Sequence, residues 1–211
     1  MAIASRMKSA LLANPLFLSI IVLCLLLPSV GVDAGAYLSA VRPLTFLVSL
    51  ATVALALPLW QQRRLIIANS KAMAVATLVA TLSGLGSAWV IGILLGLSLP
   101  EIASIGPKMT TLAVALPLSR STGGWDNLAM LCVMCNGVGG ASIASLMWRV
   151  FLPKSSAAER AFSLGITSHA MGIARIMALT PEFVSYATCG MLLSALCTTA
   201  VYGVARMLGV I

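Results

Sequence analysis

Acidic side chains are scarce in this chain: five Asp and Glu among 211 residues, with one histidine and 9% charged residues in all. Water-soluble domains carry about 25% charged residues, so a soluble fold is excluded. No Pro-, Ser- or charge-rich linker separates the apolar segments, which leaves no room for an attached soluble domain. There is no nucleophile–base–acid set and no phosphate-binding loop, so an enzyme is not expected. The five cysteines lie inside apolar segments. Cys132 and Cys135 have CxxC spacing but lack a second pair or a ligand histidine, so no zinc or other cofactor is expected. The thiols read as small apolar residues, and none requires an oxidising compartment.

What the chain has instead is hydrophobicity: 60% apolar residues and a mean hydropathy of +1.06. Apolar runs cover 15–32, 43–60, 72–99, 102–118, 128–148, 161–179 and 183–208. A helix needs about 20 apolar residues to cross hydrocarbon. The expectation is an all-α, polytopic membrane protein in which 1–211 forms a single integral membrane domain. The net charge of +8 comes mostly from Lys and Arg flanking the runs, which suits a lipid bilayer rather than nucleic acid. Arg6, Lys8, the run to Leu27 and Ala34-Gly35-Ala36 mimic a secretory signal with its cleavage box. The run is longer than a signal core and more apolar segments follow, so it reads as an uncleaved first span.

Charge distribution selects a topology. With every run crossing once, basic residues divide almost evenly between the two faces. If 100–124 instead enters and leaves on one face, the inside holds Arg6, Lys8, Arg63, Arg64, Lys71, Arg149, Lys154, Arg160 and Arg206. Outside remain Arg42 and Arg120, and Lys108 and Arg175 become intramembrane cations. Gly106-Pro107 supplies the helix break that a re-entrant turn needs. About six transmembrane helices plus one broken or re-entrant element result, and a two-helix hairpin at 100–124 satisfies the charges equally well. Residues 51–60 and 110–119 agree at six of ten positions, which fits an inverted repeat or the chance similarity of Ala/Leu-rich segments.

The polar chemistry concentrates in 165–175. At 100° per residue, Gly165, Ser168, His169, Gly172 and Arg175 share one sector of about 120°. Ionisable groups in hydrocarbon cost roughly 2.5–3.5 kcal/mol each and face a bundle interior or a wet path. Arg175 offers a planar fork that matches a carboxylate, or it pairs structurally with a carbonyl. His169 either carries a proton or bonds to a neighbouring helix backbone. Lys108, followed by Thr110-Thr111, either presents a cation beside free N–H groups at a broken helix or reaches the headgroups. Glu101 and Asp126 are expected at the interface, merely solvated, and Asn136 in its Gly-rich run is expected at a close helix contact.

These residues resemble the LrgB/CidB family of bacterial membrane proteins, whose plant relative is the chloroplast glycolate/glycerate translocator. The matching strings are Asn14-Pro15-Leu16, 52–59 with Gln62, Pro100-Glu101-Ile102-Ala103 with Pro107-Lys108, Thr111, Gly123-Gly124, and Ser168-His169-Ala170-Met171-Gly172 with Ala174-Arg175. The resemblance implies a multi-pass protein of the bacterial cytoplasmic (inner) membrane that works with a smaller LrgA/CidA-type subunit. It also implies either transport of a small monocarboxylate anion or holin-like control of murein hydrolases and autolysis. The matched polar positions are Thr52, Lys108, Thr111, Ser168, His169 and Arg175. Leu50, Leu112-Ala113, Ile173 and Met177-Ala178 depart from the family's pattern, and about thirteen residues precede Asn14 where members carry a further span. Losing helix-breaking prolines weakens the case for two crossed broken helices.

The expected function is a secondary transporter, or its core subunit, for an acid such as pyruvate, glycolate, glycerate or lactate. Arg175 and Lys108 would attract the anion, Thr52, Thr111 and Ser168 would bond its oxygens, and His169 would couple a proton or orient the substrate. The alternatives are a holin-like pore or murein-hydrolase regulator, and a non-transporting partner subunit. A homo-oligomer is compatible with each.

Overall fold

The structure, a computed structural model, describes residues 15–54, 56–61 and 63–209, and every regular element among them is helical. The chain divides into two compact units, Met1–Ala56 and Leu57–Ile211. In the first, α1 (Pro15–Ser29) carries Pro28 in its last turn, and α2 (Ala34–Ala40) and α3 (Arg42–Ala54) follow. Asp33 caps α2 by accepting from the N–H groups of Gly35 at 2.8 Å and Ala36 at 3.2 Å. The stretch that mimics a cleavage box is therefore the first turn of a helix. Two short helices, α4 (Ala56–Gln61) and α5 (Arg63–Ala68), lie at the start of the second unit.

The remaining helices are α6 (Ser70–Leu94), α7 (Leu99–Ile105), α8 (Leu112–Ser121), α9 (Asp126–Phe151), α10 (Ala157–Leu179) and α11 (Val184–Met207). By length and composition four segments can cross a bilayer: Ser70–Leu94, Asp126–Phe151, Ala157–Leu179 and Pro181–Met207.

α7 and α8 form a hairpin. Ser98 and Glu101 make a capping box that starts α7, and Gly106-Pro107 ends it. Ile102 lies against Gly92 of α6 and Met109 against Gly84, so the chain runs back down α6 after the first turn. α8 then returns: Gly124 abuts both Ser119 and Ser104, and the Trp125 N–H donates to Ser104 Oγ at 2.6 Å. A bidentate pair of Arg120 with Asp126, at 2.6–2.9 Å, holds the exit of the hairpin against α9. Glu101 and Asp126, expected to be merely solvated, are thus used in a cap and an ion pair.

α10 departs from the sequence expectation. His169 has φ 41° and ψ −130°, and the helix folds back on itself there. The outgoing limb climbs along α9, with Arg160 over the Trp148 ring, Ser168 against Gly140 and His169 against Gly137. The returning limb descends: Gly172 is back beside Leu164, Ile176 joins the cluster of Ala144, Ala161 and Leu164, and Arg175 reaches Ser145. Each limb spans only about 15–18 Å at 1.5 Å per residue, half of what a crossing needs.

α11 therefore starts at the same end as α6 and runs parallel to it. Cys189 packs with Met73, Thr198 shares a small cavity with Thr81 and Gly84, and Tyr202 meets Gly106. Lys71, Arg149, Lys154 and Arg160 collect at one end of this unit. Arg120 and Arg206 lie at the other, so Arg206 stands opposite to the face expected from a crossing α10.

Small residues set the helix spacing. An added Cβ at Gly165 would strike the Ala187 main chain, and one at Gly190 the Phe162 carbonyl. Gly165→Ala is expected to cost about 1–3 kcal/mol, read as a lower melting temperature in detergent. Gly86→Ala meets nothing within 4 Å and is expected to leave that temperature unchanged or raise it.

Candidate functional site

Five of the residues singled out from sequence lie on the two hairpins. Lys108 and Thr111 belong to the first, and Ser168, His169 and Arg175 to the second. Thr52 is in α3 of the first unit, and its side chain lies outside the described residues.

The tip of the second hairpin is built by α9. Among the described residues, His169 alone of the non-glycines has positive φ, a conformation that costs L side chains about 1–3 kcal/mol. Two contacts hold it. The His169 Nε2–H donates to the Val133 carbonyl at 3.1 Å, and Asn136 Nδ2 donates to the Thr167 carbonyl, next to the break, at 2.6 Å. Gly137 gives the imidazole room, and Gly140 does the same for Ser168. The Asn136-Gly-Val-Gly-Gly140 run is thus the seat of the tip, which extends the close helix contact expected from sequence. Of the two readings of His169, the geometry has the ring bonded to a neighbouring backbone.

Ser168 is fully buried and its Oγ has no hydrogen-bond partner. Arg175 Nε is likewise buried without a partner, while Nη2 makes one long bond, 3.3 Å, to Ser145 Oγ. The single 120° sector drawn for a continuous helix does not exist, because the fold at His169 puts Ser168 and Arg175 on different limbs. Both limbs face α9, so the two side chains still share its surface.

On the first hairpin, Lys108 turns inward. Its Nζ donates to the Gly84 carbonyl at 2.6 Å and to Ser87 Oγ at 3.3 Å, and it interacts with Cys132 of α9. Thr111 is the N-cap of α8, and its carbonyl accepts from Val114 and Ala115. The buried, unpartnered hydroxyl at this tip belongs to Thr110 instead, and Thr81 of α6 carries another. Cys132 and Val133 are consecutive, so the two tips reach α9 at one level from opposite ends. No group of three or more His, Cys, Asp or Glu able to hold a metal occurs among the described residues.

Sequence reasoning missed Ser145, Thr110 as distinct from Thr111, and the part Asn136 plays. The usable signal was an amide in a run of glycines, since such a run marks where another main chain comes close.

Comparison with known proteins agrees with this architecture's apolar character. The model of the LrgB-like family matches residues 1–207. An uncharacterized protein of Haemophilus influenzae is 28% identical over 90% of this chain and 82% of its own length. The holin-like protein CidB of Staphylococcus epidermidis is 27% identical over 93% of this chain and 86% of its own. That of Staphylococcus aureus is 24% identical over 92% and 85%. No solved structure matches.

His169→Gly is expected to be more stable than His169→Ala by about 1–2 kcal/mol, because glycine relieves the positive φ that alanine keeps. Asn136→Ala leaves a buried carbonyl unpaired and is expected to cost about 0.6–2 kcal/mol. Melting temperatures of the three purified variants check both statements.

Proposed function

The chain belongs to the LrgB-like family, and we propose that it is a secondary transporter, or the core subunit of one, for a small monocarboxylate. One observation carries this reading: Ser168 Oγ and Arg175 Nε are buried on the second hairpin with no partner. A guanidinium in that state, with no carboxylate partner among the described residues, is a receptor for one. The substrate carboxylate bonds Arg175 and Ser168, and the N–H groups opening the returning limb add a positive helix end. Lys108 contributes positive potential from the first tip, and Thr111 lies beside it for the substrate's remaining oxygens. A proton-coupling or orienting part for His169 belongs to the same proposal.

Two hairpins that approach one level from opposite ends suit alternating access, since each limits passage to one face. α6 with the first hairpin and α9 with the second then form the inverted pair. In this scheme the end rich in Lys and Arg is cytoplasmic, α6, α9 and α11 cross the bacterial inner membrane, and both hairpins are re-entrant. An LrgA/CidA-type subunit and copies of the chain itself are the partners proposed.

A second reading, a holin-like pore or a regulator of murein hydrolases, is favoured by the names of the staphylococcal relatives. Uptake of labelled pyruvate, glycolate, glycerate and lactate separates the two in cells that lack their own carriers. The cells express this chain with and without an LrgA-type subunit. Saturable uptake of one acid is expected, with kcat/KM about 10- to 100-fold lower in Arg175→Gln. Leak that ignores the substitution, in a variant expressed at normal level, would sink the transport reading in favour of the pore.

A further inference from the structure

We propose that the cleft between α6 and the outgoing limb of α10 binds one anionic phospholipid. The cleft has a volume of about 590 Å³. Its walls are apolar, formed by Met73, Ala76, Ala80, Phe162, Ile166 and Tyr186. It reaches from Asn69 to Ala80 along α6, about 16 Å at 1.5 Å per residue, which is room for much of an acyl chain. Ala72, Ala76 and Ala80 also line a shallow groove with Val75 and Val79 on the outer face of α6. The cleft is thus continuous, through this alanine stripe, with an exposed apolar surface where Val75 and Val79 are 62% and 57% accessible. A slot of that kind holds water poorly, and left empty it forfeits dispersion contacts along its whole wall. A hydrocarbon chain restores them.

The mouth selects the headgroup. Lys71 ends the outer groove, is exposed, and has no partner among the described residues. Arg160 lines the mouth of the cleft. Its Nε donates to Ser155 Oγ at 2.9 Å and Nη2 to the carbonyls of Pro153 and Leu152, which fixes the plane and leaves Nη1 for a ligand. Glu159, the acid at this mouth, is engaged locally: its carboxylate accepts from the Ser156 N–H at 2.8 Å and closes the capping box of α10. Two cations and an occupied carboxylate match a phosphate that carries net negative charge. The mouth lies at the end of the unit where basic residues collect, the position at which anionic lipids are recognised between helices. This inference stands apart from the transport reading, since it uses neither hairpin tip.

The test uses the purified full chain, stripped of lipid and titrated with dioleoyl-phosphatidylglycerol or dioleoyl-phosphatidylcholine, with bound lipid counted by native mass spectrometry. One phosphatidylglycerol is expected to be retained in preference to phosphatidylcholine. Lys71→Gln, at an exposed position that spares the fold, is expected to weaken that preference about fivefold. Ala76→Phe fills the slot and is expected to lose lipid of either headgroup. Equal affinity of the unmodified chain for both lipids overturns the proposal. So does unchanged phosphatidylglycerol binding in both variants, each eluting as a folded protein.

Discussion

Every interruption of a helix inside an apolar environment frees backbone groups that must find partners within the protein. Two such interruptions lie at Gly106–Thr111 and at His169, and α9 meets both. Asn136 bonds the carbonyl of Thr167, and the carbonyl of Val133 receives His169. At the other tip Lys108 is spent on a carbonyl of α6 while lying next to Cys132. Without that seat the break at His169 loses both of the bonds that hold it, whereas the first tip is held by α6. The glycines of α9 are part of the same requirement, because a main chain can be served only by side chains that come close to it.

The close approaches also explain why so much of the unit is held by small residues rather than by a large apolar core. Gly165 on Ala187, Gly190 on Phe162 and Gly172 on Leu164 make their nearest approaches to main chain. In lipid there is little hydrophobic gain from burying a leucine against another helix, so van der Waals contact between backbones takes its place. Interfaces of this kind are smooth.

The first hairpin was legible in the sequence because its causes are local. Gly106-Pro107 breaks the helix through covalent geometry, and the near-even split of Lys and Arg under single crossings singles out 100–124 as a broken element or hairpin. The second was not legible, because its cause is tertiary. No proline or glycine stands at 169, and a 23-residue apolar stretch with ordinary helix formers reads as one span. The fold there is imposed by an amide and a carbonyl thirty-odd residues earlier in the chain. The same tertiary cause puts Arg206 at the end of the unit away from Lys71 and Arg160, because α11 runs parallel to α6. Arg175 and Ser168 are singled out as polar groups in an apolar run, and the helical wheel that joins them assumes a straight helix, which the fold at His169 removes.

Charge completes the argument. The described residues include one ion pair, Arg120 with Asp126, and it lies at the exit of a hairpin, well away from the tips. Lys108 and Arg175, the two cations carried inward by the hairpins, have no acid near them and are stabilised only by neutral oxygens. Neutral oxygens offset part of the cost of a buried cation but leave a positive potential between the tips. A fold that merely needed these positions filled would be better served by leucine. Lys108 sits at the first tip and Arg175 lower on the returning limb of the second, so the proposed carboxylate would meet the two cations at different depths along α9.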